Sequence, residues 1–258
     1  MIRFEKVSKY FGESKVLDGV SFNVEPGETF VIVGFSGAGK SVTLKHMIRL
    51  LTPDYGKVYV GDALISHAGG RKLQRLRERF GVLFQGAALL EWMSVGDNVG
   101  LPLKEKTSLS DHEIRRRVQE RLEQVNLHHV YDLFPSELSG GMRKRVGLAR
   151  ALIMNPDIIL YDEPTSGLDP VTSRSIDQLI DRMRTELKVT NVVVTHDLFS
   201  ALDIGTHIAM IHQGRILEIS RPQDFIRSTN AVVKNFLDSQ YITKCGRWEA
   251  RFNETQKN

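Results

Sequence analysis

A glycine-rich segment with a lysine and a serine is the part of this chain whose residue types and spacing point most directly to chemistry. Residues 34–41 read Gly-Phe-Ser-Gly-Ala-Gly-Lys-Ser, which matches the phosphate-binding pattern G-x-x-x-x-G-K-S. Its glycines let main-chain N–H groups turn toward phosphates, where Lys40 adds a positive charge and the Ser41 hydroxyl can bind Mg²⁺. The residues expected to bind the nucleotide here are Gly34, Ser36, Gly37, Ala38, Gly39, Lys40, Ser41 and Val42.

Two adjacent carboxylates, Asp162 and Glu163, follow the apolar run 158–161. A carboxylate at the end of a buried strand beside a phosphate loop can hold Mg²⁺ through water, and we predict that role for Asp162. Glu163 can reach an attacking water, which predicts a general base. By itself, an apolar run that ends in two acids indicates only the end of a strand. Its combination with the phosphate loop favours the catalytic interpretation.

The elements that must position these residues alternate between strands and helices. The run Thr29–Val33 precedes the glycine loop as a predicted buried strand, and apolar residues recur at helical spacing over residues 44–51. Residues 191–195 predict another strand, and Asp169-Pro170 predicts the start of the helix before it. This alternation predicts a mainly parallel sheet, and together with the phosphate loop it predicts an α/β P-loop NTPase core.

Three other regions depart from that alternation. Residues 2–24 alternate apolar and polar side chains, which predicts an N-terminal antiparallel β layer. Residues from about 86 to 155 are mostly helical in pattern and predict an inserted helical sub-domain. We expect residues 1–228 to form a single domain and residues 229–258 to form a C-terminal tail. The tail is interpreted either as a disordered end or as a segment that grips a neighbouring subunit through its aromatic residues, Phe236, Tyr241, Trp248 and Phe252.

The composition limits the classes of protein to which this chain can belong. The chain has 258 residues, 41% of them hydrophobic, and no apolar run long enough to predict a membrane span or a secretory signal. One cysteine, Cys245, excludes an internal disulfide. The formal net charge of +4 does not favour a nucleic-acid partner. The densest basic cluster, residues 143–145 with Arg150, is interpreted either as a solvated helix face or as a group near phosphates or lipid headgroups.

The segment 138–142, Leu-Ser-Gly-Gly-Met, resembles the signature motif of ABC-transporter ATPases. Alone it would predict only a helix cap. Further landmarks of that family occur in the family's order along the chain. Gln85, before this segment, resembles the Q-loop glutamine; after it, residues 166–169 resemble the D-loop and His196 the switch histidine. Phe11 lies where the family stacks an aromatic ring on adenine, with Tyr10 as the neighbouring alternative.

This resemblance implies the ABC ATPase fold and a dimer that holds two ATP molecules with Mg²⁺ between its subunits. It implies that Ser139, Gly140 and Gly141 of one copy face the γ-phosphate bound by the other, with Asp169 beside them. It implies catalytic roles for Glu163, His196 and Gln85. It also implies that Gln85 is a metal ligand together with Ser41 and Asp162. The implied partners are a second copy of the chain and a transmembrane permease, at the cytoplasmic face of the inner or plasma membrane.

Three stretches, 39–46, 138–150 and 161–173, resemble a narrower group, the ATPases of Mla/Mce-type phospholipid transporters. Val42 and residues 142–145 depart from the usual ABC pattern in the way this group does, whereas residues 89–92 depart from the group itself. The resemblance implies lipid transport, with a lipid-binding Mce-domain protein as a candidate third component. The alternatives are the ATPase of a small-solute importer, such as one for amino acids, and a non-transport ABC protein. The single cassette and the short helical insertion oppose the last of these.

Overall fold

The computed structural model describes residues 1–240, which form two sheets and a set of helices. A four-stranded sheet has the order β2-β1-β4-β5, and its neighbouring strands are antiparallel; these strands are β1 (Ile2–Phe11), β2 (Ser14–Val24), β4 (Tyr55–Val60) and β5 (Ala63–Leu64). The long β1–β2 pairing contains register shifts between Phe4 and Tyr10. This sheet confirms the predicted N-terminal antiparallel layer.

The second sheet has six strands in the order β10-β9-β3-β8-β7-β6. Its strands are β3 (Thr29–Val33), β6 (Phe80–Leu83), β7 (Ile158–Asp162), β8 (Thr190–Thr195), β9 (His207–His212) and β10 (Arg215–Ser220). The five strands from β9 to β6 are parallel, and β10 pairs antiparallel with β9. Every residue of β3 and β8 is buried, as expected for parallel strands covered on both faces.

Helices cover both faces of this sheet. They are α1 (Lys40–Met47), α2 (Gly70–Arg77), α3 (Val95–Lys106), α4 (Asp111–Gln124), α5 (Gly140–Leu152), α6 (Pro170–Leu187), α7 (Leu198–Ile204), α8 (Pro222–Phe225) and α9 (Ala231–Ser239). Side-chain oxygens of Ser94, Ser110, Ser139, Asp169 and Asn230 cap the helices that follow them. In the region predicted to be a helical sub-domain, α3, α4 and α5 pack on one another, and α5 also packs on β6.

Two hydrophobic cores lie on the two faces of the parallel sheet. Val31 and Val33 of β3 face a core built with α3 to α7, whereas Phe30 and Ile32 face a core shared with the antiparallel sheet and α1. This alternation follows from the two-residue period of a strand. The six-stranded sheet is therefore the middle layer. The carboxyl ends of β3 and β7, with β8 between them, lie at the same edge of it.

The C-terminal part of the described chain differs from the expected tail. Residues 231–239 form α9, and its Val233, Phe236 and Leu237 are buried in the same core as α6 and α7. The folded domain thus continues past residue 228, where we expected it to end. Phe236 packs within its own chain and is not free to grip a neighbour, while Tyr241, Cys245, Trp248 and Phe252 lie outside the described residues. Within residues 1–240, no helix is both long and apolar enough to cross a membrane.

Candidate functional site

The glycine loop connects the buried strand β3 to α1, which begins at Lys40. Two of its glycines are fixed by close neighbours as well as by a left-handed backbone. A Cβ on Gly34, whose φ is 156°, would lie 2.3 Å from the Ile211 carbonyl oxygen, and one on Gly39, whose φ is 106°, would lie 2.8 Å from Leu17 Cδ2. A side chain at either position would displace the loop, so its path depends on glycine.

Lys40 lies buried at the centre of this loop, which wraps around its ammonium group. Its Nζ donates to the carbonyl oxygens of Gly34 at 2.8 Å and Phe35 at 3.2 Å, and it lies 3.8 Å from Glu163 Oε1. Burial lowers the pKa of Lys40, and the negative charges of Glu163 and Asp162 act in the opposite direction. The loop therefore presents a partly desolvated cation where an anionic group can reach it.

Ser41 and Asp162 bring two oxygen ligands together at the junction of α1 and β7. The Ser41 hydroxyl donates to Asp162 Oδ1 at 2.8 Å. Hydroxyl and carboxylate oxygens are the hard ligands that Mg²⁺ prefers, and that ion commonly takes its remaining positions from phosphates and water. The donor set thus fits a Mg²⁺ ion delivered with a nucleotide. Gln85, the third predicted metal ligand, donates through Nε2 to Ser166 Oγ at 3.5 Å.

Glu163 lies between a cation and an imidazole. Its Oε2 is 2.7 Å from His196 Nδ1 and accepts from the His196 main-chain N–H at 3.3 Å, while its Oε1 faces Lys40. Its φ of 50° is unusual for a residue with a side chain, and its N–H donates to the Val194 carbonyl at 2.8 Å. Strain of this kind persists where the surroundings fix it, which favours a functional role for this carboxylate.

A cavity of about 840 Å³ opens at the phosphate loop and gathers most of the predicted residues. Those that line it are Phe11, Ser36, Gly37, Ala38, Gly39, Lys40, Ser41, Val42, Gln85, Glu163 and His196. Gly34 belongs to the site through its carbonyl bond to Lys40, and Asp162 through its bond to Ser41. The side chains predicted to bind phosphate, to hold the metal and to support hydrolysis thus lie around one space.

The end of β1 forms the outer wall of this cavity. Phe11 is 47% exposed and lines the cavity together with Val16. The neighbouring Tyr10 packs edge-on against Tyr55 instead, with ring centroids 6.3 Å apart. Of these two aromatic residues, Phe11 lines the cavity and Tyr10 does not, which favours Phe11 as the predicted platform for a base.

The signature residues and Asp169 lie outside this cavity. Ser139 caps α5 by accepting from the Met142 N–H at 3.3 Å, and a Cβ on Gly141 would lie 2.5 Å from Thr172 Cγ2, so the signature and the start of α6 are in close contact. Asp169 caps α6, and hydrogen bonds from Thr172 lower its pKa. One copy of the chain does not bring these residues to its own phosphate loop.

Helix α9 contributes a wall of the cavity that the sequence analysis missed. The Phe236 ring lies edge-on to Phe35 of the phosphate loop, with centroids 4.9 Å apart. Gln240 donates through Nε2 to the His196 carbonyl at 2.6 Å and accepts from the Leu198 N–H at 2.9 Å. Asn230 and the helical spacing of the buried residues after it were the signal that could have predicted α9, whereas its docking on the site depends on the tertiary fold.

The basic cluster of α5 is engaged in contacts within the chain. Arg143 pairs with Glu91 at 2.8 Å, Arg150 donates to the Ala87 carbonyl at 2.8 Å, and Lys144 is buried. The interpretation as a solvated helix face is therefore wrong for Lys144. The charge of Lys144 was its only signal in the sequence, and that signal did not predict a position beside Gln85 and Glu163.

Comparison with known proteins identifies a family and several relatives of this chain. A family model described as ABC transporter matches residues 17–166. The probable ribonucleotide transport ATP-binding protein mkl of Mycobacterium leprae is 38% identical over 254 residues, 98% of this chain and 73% of that protein. The methionine import ATP-binding protein MetN of Clostridioides difficile is 40% identical over 235 residues, 91% and 73% of the two chains. The chloroplastic protein TRIGALACTOSYLDIACYLGLYCEROL 3 of Arabidopsis thaliana is 38% identical over 253 residues, 92% and 73%.

A solved structure of similar fold is an ATP-binding cassette captured as a dimer in a post-hydrolysis state with ADP and Pi. It superimposes with a TM-score of 0.79 at 34% identity and covers 86% of this chain and 99% of its own. The matched family model spans more than half of the chain, and the phosphate loop, Asp162 and Glu163 lie within it. The chain therefore belongs to the ABC transporter family, as an ATP-binding and ATP-hydrolysing subunit.

Proposed function

We propose that this subunit hydrolyses ATP at a site shared by two of its copies, and that the cycle powers phospholipid transport through a transmembrane permease at the cytoplasmic face of a membrane. The proposal of a shared site rests on one observation: the predicted residues fall into two groups that lie apart within one copy. Lys40, Glu163 and His196 meet around one cavity, and Asp162 joins them through Ser41, whereas Ser139 lies outside the cavity. In this proposal a second copy supplies the signature.

Each side chain has a distinct task in this proposal. Phe11 stacks on the adenine, the main chain of the phosphate loop with Lys40 binds the β- and γ-phosphates, and Ser41 and Asp162 hold Mg²⁺ with Gln85 nearby. The metal, when bound, neutralises charge on the phosphates.

Glu163 accepts a proton from the attacking water as the γ-phosphoryl group leaves. His196, 2.7 Å from the Glu163 carboxylate, holds that carboxylate in place and can contact the γ-phosphate on the same side of the cavity. From the second copy, Ser139, Gly140 and Gly141 contribute a hydroxyl and N–H groups at the positive end of α5, with Asp169 at the adjoining start of α6.

Phospholipid as the cargo rests on the three stretches that resemble Mla/Mce-type ATPases and on a relative whose name contains that of a galactolipid. A lipid-binding Mce-domain protein is the third component that this proposal adds. The competing candidate is the ATPase of a small-solute importer, which the 40% identity to a methionine import protein favours. The name of the mkl relative adds ribonucleotides to the cargoes to be tested.

The test is native purification of the chain with its membrane partners, followed by mass spectrometry of bound molecules. The complex is then placed in liposomes, and its ATPase rate is measured with added phospholipid, methionine or ribonucleotide. Retained phospholipid together with lipid-dependent stimulation supports the proposal, and the same complex carrying Lys40→Ala is the background control. Stimulation by methionine or ribonucleotide alone, or a solute-binding protein in place of an Mce-domain protein, contradicts it.

A further inference from the structure

Lys144 connects three segments that are far apart in sequence. It lies on α5, just after the signature, and is 5% exposed. Its ammonium group donates to the main-chain carbonyl of Gln85 and, at 3.0 Å, to that of Glu163. One side chain thus joins the signature helix, the loop that carries Gln85 and the residue that follows β7.

A buried ammonium group in this place is costly for the fold. Burial lowers the pKa of Lys144, and the charges of Glu163 and Asp162 act against that change. The two hydrogen bonds that the structure gives it go to main-chain carbonyls and not to a carboxylate. Burying a charge without a direct ion pair disfavours folding relative to an apolar side chain of similar size. Such an arrangement calls for a role other than stability.

The geometry of Glu163 indicates what that role is. Its N–H is bonded to Val194 of β8 at 2.8 Å, and its carbonyl accepts from Lys144 of α5, so the residue is held from both sides. This fixes a left-handed backbone at Glu163 and directs its carboxylate toward His196. The same ammonium group holds the peptide of Gln85. A displacement of that loop must therefore either move Lys144 or break its bond.

We infer that Lys144 is a positioning residue for hydrolysis, which fixes the main chain of Glu163 and couples it to the loop of Gln85. The inference rests on the proposed function, because it takes Glu163 as the general base. Lys144 itself does not need to touch the nucleotide. Its loss leaves the phosphate loop intact and lets the base shift, and a shift on the order of 1 Å can cost about 10²-fold in rate.

The experiment compares steady-state ATPase kinetics of the full chain with those of Lys144→Met, Lys144→Gln and Arg143→Met. For Lys144→Met we expect kcat to fall at least about tenfold while KM for ATP stays within about twofold, because binding groups are retained and the base is misplaced. Glutamine has two N–H donors without the charge, so Lys144→Gln recovers part of kcat. Arg143→Met removes a neighbouring cation of the same helix and keeps wild-type kinetics.

Two further measurements make the outcome decisive. If Lys144 holds the main chain of Glu163, hydrogen exchange at the Glu163 N–H is faster in Lys144→Met than in Arg143→Met. The inference is overturned if Lys144→Met has the wild-type kcat. It is also overturned if kcat falls together with a matching rise in KM and Lys144→Gln shows no recovery. Glu163→Gln is measured in the same assay. If it turns over normally, the assignment of the base is wrong; if it is inactive while Lys144→Met is normal, only the role of Lys144 is wrong.

Discussion

Asp177, which lies buried between α6 and α7, carries a prediction whose size can be worked out. It is 5% exposed, and its Oδ2 accepts from Ser200 Oγ at 2.6 Å. Within the described part of the chain, its Oδ1 has no hydrogen-bond partner. Burial raises the pKa of this carboxyl to about 7, although the hydrogen bond from Ser200 acts to lower the pKa. The charges of Asp197 and Asp203 act in the same direction as burial. The folded protein therefore holds this proton more tightly than the unfolded chain does.

The sign of the pH effect follows from that difference. Between the unfolded pKa of 3.8 and the folded pKa of about 7, the carboxyl is ionised in the unfolded chain and protonated in the folded one, so folding has to take up a proton. The contribution of Asp177 to stability therefore falls as the pH rises through this window, and the cost is fully present above it. A shift of about 3 pKa units corresponds to roughly 4 kcal/mol.

Asp177→Asn removes this cost, because the amide is nearly the same shape, still accepts from Ser200 and does not ionise. We expect the free energy of unfolding of the variant, relative to wild type, to increase by roughly 3–4 kcal/mol between pH 4 and pH 8. Urea unfolding at several pH values measures it. Asp181→Asn is the matched control, since Asp181 lies on the same helix but is only partly buried and pairs with Arg184 at 2.8 Å. A difference between Asp177→Asn and wild type that does not change with pH would refute the reasoning.

Three further predictions concern the nucleotide site. Lys40→Ala abolishes ATPase activity and strongly weakens ATP binding, measured by titration with a fluorescent nucleotide; wild-type hydrolysis would exclude the assigned loop. Phe11→Ala weakens ATP binding by about 1–3 kcal/mol, the range for stacking of a base on an aromatic ring, whereas Tyr10→Ala leaves it nearly unchanged; the opposite order in calorimetry would assign the platform to Tyr10. Gln240→Ala lowers kcat more than it changes KM, because it releases the main chain around His196; unchanged kinetics would show that α9 does not support this loop.

The elements that sequence predicted well are those whose signals are local. The strand Thr29–Val33 and the glycine loop after it follow from a short apolar run and from a motif that only certain residue types can form. The start of α6 follows from Asp169-Pro170, where the side chain caps the helix and the proline fits its first turn. None of these predictions required knowledge of distant contacts.

The features that sequence could not predict depend on contacts between distant residues. Lys144 stands between Arg143 and Arg145, in a charged segment that sequence alone would place at the surface. Its burial depends on the carbonyls of Gln85 and Glu163, which lie 59 and 19 positions away. In the same way, α9 could be predicted as a helix, yet its contact with Phe35 requires the sheet to bring the C-terminal helix to the phosphate loop. The placement of Ser139 outside the cavity was expected only from the family resemblance, because no local pattern in residues 138–142 indicates which phosphate loop the signature faces.

The central claim, that ATP is bound between two copies of this chain, is tested most directly by the association state of Glu163→Gln. Glutamine keeps the shape of Glu163 but cannot accept the proton, and loss of a positioned base costs on the order of 10²–10⁴-fold in rate. The nucleotide then persists. Analytical ultracentrifugation should show the variant shifting from monomer to dimer when Mg-ATP is added, and Ser139→Arg in the same chain should abolish the shift. A Glu163→Gln chain that binds Mg-ATP and stays monomeric, or a dimer that forms equally well with Ser139→Arg, would contradict the account.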